Sequence, residues 1–177
     1  MVIAAEQVID IIGKKFSLFE LKLIVESLNQ TFEKYQINTP LRVCHFLAQI
    51  LHESGCFRYN EEIATGDAYD TRTDLGNTPA KDGDGRKYKG RGYIQITGTT
   101  NYKAVSKALE YDFFADPEML EKYPYNMLSA GWYWDTRKLN QYADADDITT
   151  ITRRINGGLN GIIYRKEWLT RAKNVIK

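Results

Sequence analysis

Apolar residues recur at helical spacing along most of the chain, and the exceptions gather in one stretch. Ile3, Val8, Ile9, Ile11 and Ile12 fit a short amphipathic helix stopped by Gly13. Ser17 followed by Glu20 has the form of a capping box opening a longer helix, with Leu21, Leu23, Ile24, Leu28, Phe32 and Tyr35 on its inward face. Thr39 and Pro40 then place an N-cap ahead of a proline at the first helical position. The residues that follow, 41–53, are apolar on nearly every face. That predicts the buried axis of the domain, ended by Gly55.

Over residues 59–91 the periodicity disappears, and Gly, Asp, Thr, Asn and Pro79 dominate. Loops of this length inside compact domains are uncommon and usually functional. Helical spacing resumes over residues 101–109, 116–123, 126–139 and 148–176, with a break at Asn156-Gly157-Gly158. Only residues 93–97 alternate in the manner of a strand. The pattern predicts a mainly α fold, with at most a small β-hairpin and a cleft where the polar loop belt meets the helices. The whole chain, 1–177, reads as one domain.

Composition narrows the function. The 177 residues are 43% hydrophobic and 27% charged, the profile of an ordinary globular protein. With 24 basic and 23 acidic residues the net charge is +1, which gives no electrostatic basis for a nucleic-acid partner. The densest basic cluster is Arg86, Lys87, Lys89 and Arg91, read either as a solvated loop or as a contact for an anionic polymer. Cys44 and Cys56 are too few for a disulfide framework and are expected to be reduced. The N-terminus has Glu6 and Asp10 among its apolar residues and does not read as a signal peptide. No stretch reaches the roughly 20 apolar residues of a membrane helix, so membrane insertion is not expected.

Glu53 closes the apolar helix. Partial burial and the negative end of the helix macrodipole both favour the protonated carboxyl there, the form a general acid needs. Position alone is weak evidence, since many helices end on an exposed Glu. Glycoside hydrolysis normally takes a second carboxyl, and the loop offers Glu61, Glu62, Asp67, Asp70 and Asp74. Spacing does not choose among them.

Residues 85–102, GRKYKGRGYIQITGTTNY, are the most distinctive stretch. Gly90, Gly92 and Gly98 permit close backbone approach, and Gln95, Thr97 and Asn101 carry neutral donors and acceptors suited to hydroxyl and acetamido groups. On an alternating strand Gln95 and Thr97 would form a polar floor with Ile94 and Ile96 beneath. Tyr59, Tyr69, Tyr88, Tyr93 and Tyr102 flank the motifs, where aromatic faces stack on sugar rings or pack in the core. Tyr88 and His52 are read as substrate contacts, and Trp132 and Trp134 as core.

With these residues in view the chain is similar to family 19 glycoside hydrolases, which include plant-type chitinases and many bacteriophage endolysins. The matching pieces, in the family's order, are HESGCF from His52, Glu62, the 85–102 stretch, SAGWYW from Ser129 and INGGLNG from Ile155. The resemblance implies a lysozyme-like two-lobed helical fold around a catalytic cleft, and Glu53 as general acid. It implies Glu62 as base, nine positions on as in the endolysin branch, with Thr97 helping to hold the attacking water. Gln95, Asn101 and Asn156 would bind sugar, and Arg165 would match an arginine that orients the catalytic carboxylates. The implied mechanism is inverting, with the two carboxyls roughly 6.5–9.5 Å apart.

The chain departs from the family in places. Plant members carry disulfides and a longer loop bearing their second glutamate, Tyr164 replaces the usual Asp before the late arginine, and Cys56 stands where endolysins often have Gly. These differences point to the endolysin branch, with peptidoglycan glycan strands as substrate, a monomeric state, no cofactor, and accumulation in the host cytoplasm before release to the wall through a separate pore. Three alternatives stay open: a chitinase acting on N-acetylglucosamine polymers, a lytic transglycosylase needing one acid, and a noncatalytic wall-binding or antibacterial module. A metal site is not expected. Asp82-Gly83-Asp84-Gly85 lacks the later residues of a calcium loop, and His45 and His52 have no third ligand.

Overall fold

The computed structural model describes all of residues 1–177. Its first two helices form where the spacing places them. Helix α1 (Ala5–Ile12) ends at Gly13, whose left-handed backbone (φ 71°) lets its N–H bond the Ile9 carbonyl. Helix α2 (Leu18–Lys34) is capped by Ser17 Oγ, which accepts the Glu20 N–H at 3.1 Å. Only this half of the expected capping box forms.

Helix α3 (Pro40–Glu53) is the axis the sequence predicts. Thr39 Oγ1 caps it and every residue from Val43 to Leu51 is buried. Phe46 meets Phe32 of α2 and Trp134 edge-on, with ring centroids 5.9 and 5.4 Å apart, so the axis is locked by aromatic packing as well as by area. Around it lie α6 (Tyr125–Thr136), α7 (Asn140–Asp144), α8 (Ile148–Asn156) and α9 (Ile162–Val175), with α9 in the most extensive contact. Trp134 is core as expected, and Trp132 packs partly buried against it.

The remaining elements are the short α4 (Asp84–Lys87), α5 (Thr99–Leu109) and 3-10 turns at Asp67–Tyr69, Thr73–Leu75 and Pro117–Glu121. Residues 116–123 are thus one such turn rather than an α-helix, and the predicted 126–139 helix ends at Thr136. The strand expected over residues 93–97 does not form. Arg91 and Ile96 exchange both backbone hydrogen bonds (3.1 and 2.8 Å), which closes a tight loop between them. Gly92 (φ 75°) and Gln95 (φ 58°) are left-handed there, a conformation no extended strand accommodates. The only bridges are single pairs, Glu61 with Arg91 and Arg91 with Ile96. The fold is therefore mainly helical without a sheet, and no helix is long and apolar enough to cross a membrane.

Buried polar side chains hold the loop belt. Arg91, 5% exposed, donates to Glu121 Oε1 (2.8 Å), the Lys87 carbonyl (2.7 Å) and Tyr102 Oη (3.0 Å). Asn77 donates to the Tyr69 carbonyl at 2.7 Å and accepts from the N–H and hydroxyl of Thr99. These bonds tie residues 69–77 to the start of α5. A long polar loop so fastened is a fixed wall.

Candidate active site

The belt and the helices enclose a cleft of about 540 Å³. From the helices come Glu53, Tyr133, Arg137, Ile155 and Asn156, and from the belt and α5 come Tyr69, Leu75, Ile94, Gln95, Ile96, Thr97 and Asn101. Ile94 and Ile96 line it beside the polar groups, so the floor is mixed. Gln95 and Thr97 face it through a turn and not through strand alternation.

Glu53 sits at the last residue of α3, where Ser54 caps the helix. Its Oε1 accepts from Arg165 Nη2 at 2.5 Å, and Arg165 is wholly buried on α9. Arg165 also donates to Gln49 Oε1 at 2.5 Å, one turn earlier on α3. Arg165 thus holds Glu53 from behind, in the orienting place the resemblance implies, and is not itself among the cleft-lining residues that would contact substrate.

Beyond α3 the chain reverses sharply. Gly55, Cys56 and Phe57 are all left-handed (φ 57°, 61° and 63°), and Ser54 Oγ accepts the Phe57 N–H at 2.8 Å. The left-handed backbone at Cys56 is one that a Cβ disfavours, so a glycine would be accommodated there with less strain. The reversal leads into the segment that bears Glu62.

Four of the five loop acids are committed to the belt itself. Glu61 pairs with Lys89 at 2.8 Å, Asp67 with Arg86, and Asp74 with Arg72 at 2.5 Å, while Asp70 accepts the Gly83 and Gly85 N–H groups. Glu62 has no cationic partner. It accepts the Tyr69 hydroxyl at 2.8 Å on Oε1 and the Gly90 N–H at 3.2 Å on Oε2. Bonding to this carboxylate, and then burial, pushes the Tyr69 pKa above its ordinary value. Glu62 is not among the residues that line the cleft; it stands behind Tyr69, which is, and shares no hydrogen-bond partner with Glu53. The same ion pairs engage Arg86 and Lys89, Arg91 is buried, and Lys87 lies over the Tyr88 and Phe114 rings, so each member of the basic cluster has a partner within the fold, although Arg86 and Lys87 stay exposed.

The neutral groups are similarly fixed. Thr97 Oγ1 donates to the Gln95 carbonyl (2.9 Å), Gln95 Nε2 to the Gly92 carbonyl (3.1 Å), and Asn101 Nδ2 to the Thr97 carbonyl (2.8 Å). Two expected contacts fall elsewhere. Tyr88 is 1% exposed, stacked on Phe114 at 4.8 Å and packed against Tyr102 at 5.2 Å, and belongs to the core. His52 stacks on Tyr164 at 6.2 Å and abuts Gly161, outside the cleft lining. Burial and then Arg165 lower the His52 pKa.

Sequence reasoning gave no role to Tyr133 and Ile155, although both fall in matched motifs, and missed Arg137 altogether. It also missed Gln49. The signal for Gln49 was present, a polar residue inside an apolar helix one turn before the candidate acid.

An α-helical body with a carboxyl at the end of its axial helix and a polar loop wall opposite is the architecture of lysozyme-like glycoside hydrolases. Chitinase C from Streptomyces griseus HUT6037 shares the fold with a TM-score of 0.76 at 21% identity, over 98% of this chain and 76% of that one. A bacterial family 19 chitinase does so with a TM-score of 0.77 at 21% identity, over 99% and 95%. Residues 42–159 match the glycoside hydrolase family 19 model, described as chitinase class I. A family 19 glycosyl hydrolase domain-containing protein of Haemophilus influenzae is 34% identical over 175 residues, spanning 82% of this chain and 85% of that protein. An endochitinase of Arabidopsis thaliana is 39% identical over 132 residues, but this chain covers only 44% of its length. The chain belongs to glycoside hydrolase family 19.

Proposed function

We propose that this family 19 hydrolase is a peptidoglycan-degrading enzyme of the endolysin type, cutting β-1,4 bonds with inversion. The observation that carries the reading is a cleft with the Glu53 carboxyl on its wall, held by Arg165, and a second carboxyl, Glu62, just behind the lining residue Tyr69 and held by Tyr69 and Gly90. Glu53 Oε2 has no protein partner, and a proton carried there passes to the leaving glycosidic oxygen. Glu62, held by two donors, takes a proton from the attacking water. Thr97 commits its own proton to Gln95 and so presents lone pairs that orient that water. Gln95, Asn101 and Asn156 keep free amide valences for sugar hydroxyl and acetamido groups.

Peptidoglycan is favoured by the nine-residue step from Glu53 to Glu62, the endolysin spacing, in place of the longer loop of plant members. On this reading the protein works as a monomer, accumulates in the host cytoplasm and reaches the wall through a separate pore. Chitin is the second reading, supported by the endochitinase relatives.

Product analysis on purified peptidoglycan and chitin, run side by side, tests both. The expected result is hydrolytic fragments from peptidoglycan, and none from Glu53→Gln although that variant still sediments with walls. Anhydro-sugar ends would defeat hydrolysis, chitin turnover without wall cleavage would defeat the substrate, and undiminished lysis by Glu53→Gln would defeat the acid.

A further inference from the structure

Arg137 follows α6 as its C-terminal cap and lines the cleft together with Glu53. Its guanidinium lies 3.3 Å from the Tyr133 ring centroid, and Tyr133 is itself fixed by donating its hydroxyl to the Ile155 carbonyl at 3.2 Å. Stacking on an aromatic face holds the guanidinium plane while leaving its edge donors unused. The two buried arginines of the fold, by contrast, face carboxylates, Arg165 on Glu53 and Arg91 on Glu121. Arg137 pairs with none, and its one hydrogen bond is a long donation to Thr136 Oγ1 at 3.4 Å. Burial, partly offset by Tyr133, lowers its pKa. A half-buried cation without an anion, preorganised on the wall of a sugar cleft, is a vacant receptor.

A guanidinium edge matches a carboxylate through two parallel hydrogen bonds. A chitin strand carries no carboxylate, whereas a peptidoglycan strand carries acids branching from every second amino sugar. We infer that Arg137, backed by Tyr133, binds a carboxylate displayed from the 3-O position of the glycan in the Glu53 cleft and so selects peptidoglycan over neutral strands. The inference rests on the peptidoglycan reading. Two sources share the chemistry: the free lactyl acid of peptide-free strands and the carboxylates of the stem peptide.

Calorimetric titration of the Glu53→Gln chain, which removes turnover, separates the cases. The ligands are a peptide-free tetrasaccharide of alternating N-acetylglucosamine and N-acetylmuramic acid, its lactyl methyl ester, a peptide-bearing tetrasaccharide and the same with its peptide carboxylates amidated. The acid form is expected to bind about tenfold more tightly than its neutralised counterpart, the scale of a charged hydrogen bond. The pair that shows the gap identifies the source. Adding Arg137→Gln should bring that ratio close to one.

Equal affinity for acid and neutralised ligands in both pairs would overturn the inference without any substitution at Arg137. A gap that persists in Arg137→Gln would overturn it too. Wall lysis by the unsubstituted chain reads the proposed function separately. Lysis without discrimination removes Arg137 and keeps the substrate, and discrimination without lysis does the reverse.

Discussion

Arg165 donates to the Glu53 carboxylate at 2.5 Å from a position 112 residues further along the chain, with none of its own side chain exposed. The same guanidinium holds Gln49, so one planar fork ties two successive turns of α3 to α9. The Glu53 carboxyl is therefore aimed by a residue that lies outside the cleft lining.

Replacing Arg165 by Met should lower kcat about a hundredfold, the scale of misplacing a reacting group by about 1 Å, while KM changes little. Arg165→Lys should recover part of kcat, because an ammonium keeps the charge but not the fork. Steady-state kinetics on a soluble glycan give both numbers. A lowered melting temperature with kcat intact would mean that Arg165 merely packs.

Tyr69 is the corresponding support for Glu62, and its hydroxyl is the group to delete. A hydrogen bond to a charged acceptor contributes about 1.5–3 kcal/mol, so Tyr69→Phe should cost roughly tenfold or more in kcat. Tyr69 is only partly buried, and its backbone is held independently by Asn77, so thermal stability should stay nearly constant. Wild-type kcat in Tyr69→Phe would remove Glu62 from the reaction or Tyr69 from its support.

Much of the helical scaffold was legible because each helix carries its own local signals, such as Ser17, Thr39-Pro40 and Gly13. Glu53 was legible for the same reason, being the end of a helix that has to be buried. The strand expected over residues 93–97 failed because period-two burial also arises in a tight loop, with Gln95 and Thr97 half-buried between buried isoleucines. Tyr88 failed because an aromatic beside a motif has no local mark that separates core from cleft. Arg165 could be placed near the carboxylates only through resemblance, since its contact joins α9 to α3 across most of the chain. Tyr133 lay inside a matched motif that assigned it no role, and Arg137 lay outside every matched motif.

Gly90 tests the packing between floor and base. A Cβ there would stand 2.7 Å from Gln95 Oε1 and 3.3 Å from Glu62 Oε2. Gly90→Ala must therefore displace Gln95, whose left-handed backbone leaves little freedom to follow, and disturb Glu62 as well. Activity should fall at least about tenfold, as for other small displacements of reacting groups, while the far-ultraviolet circular dichroism spectrum is preserved. Full activity in Gly90→Ala would show that Gln95 is dispensable in its present rotamer.

Away from the cleft, His45 should govern stability in mild acid. Its ring is fully buried, Nε2 lies 2.7 Å from Asp146 Oδ1, and Nδ1 has no partner. Asp146 also holds Lys173 Nζ at 2.6 Å, and Asp147 adds a further negative charge nearby. Burial pushes the His45 pKa below its ordinary 6.5 despite Asp146. The unfolded chain then takes up a proton as pH falls through 6.5, and the folded chain declines it until a lower pH. Stability is present above 6.5 and is lost between that value and the folded pKa, by at most about 1.4 kcal/mol per pH unit for one proton. His52, also lowered, adds a loss of the same sign. Asp146 extends the loss to lower pH: burial opposes its ionisation, yet the bonds from Lys173 and His45 hold its carboxyl below 3.8. Denaturant titrations from pH 7 to 5 should show stability falling in the wild type and falling less steeply in His45→Gln. An equal slope in both proteins would mean that the buried ring at position 45 binds its proton as readily folded as unfolded.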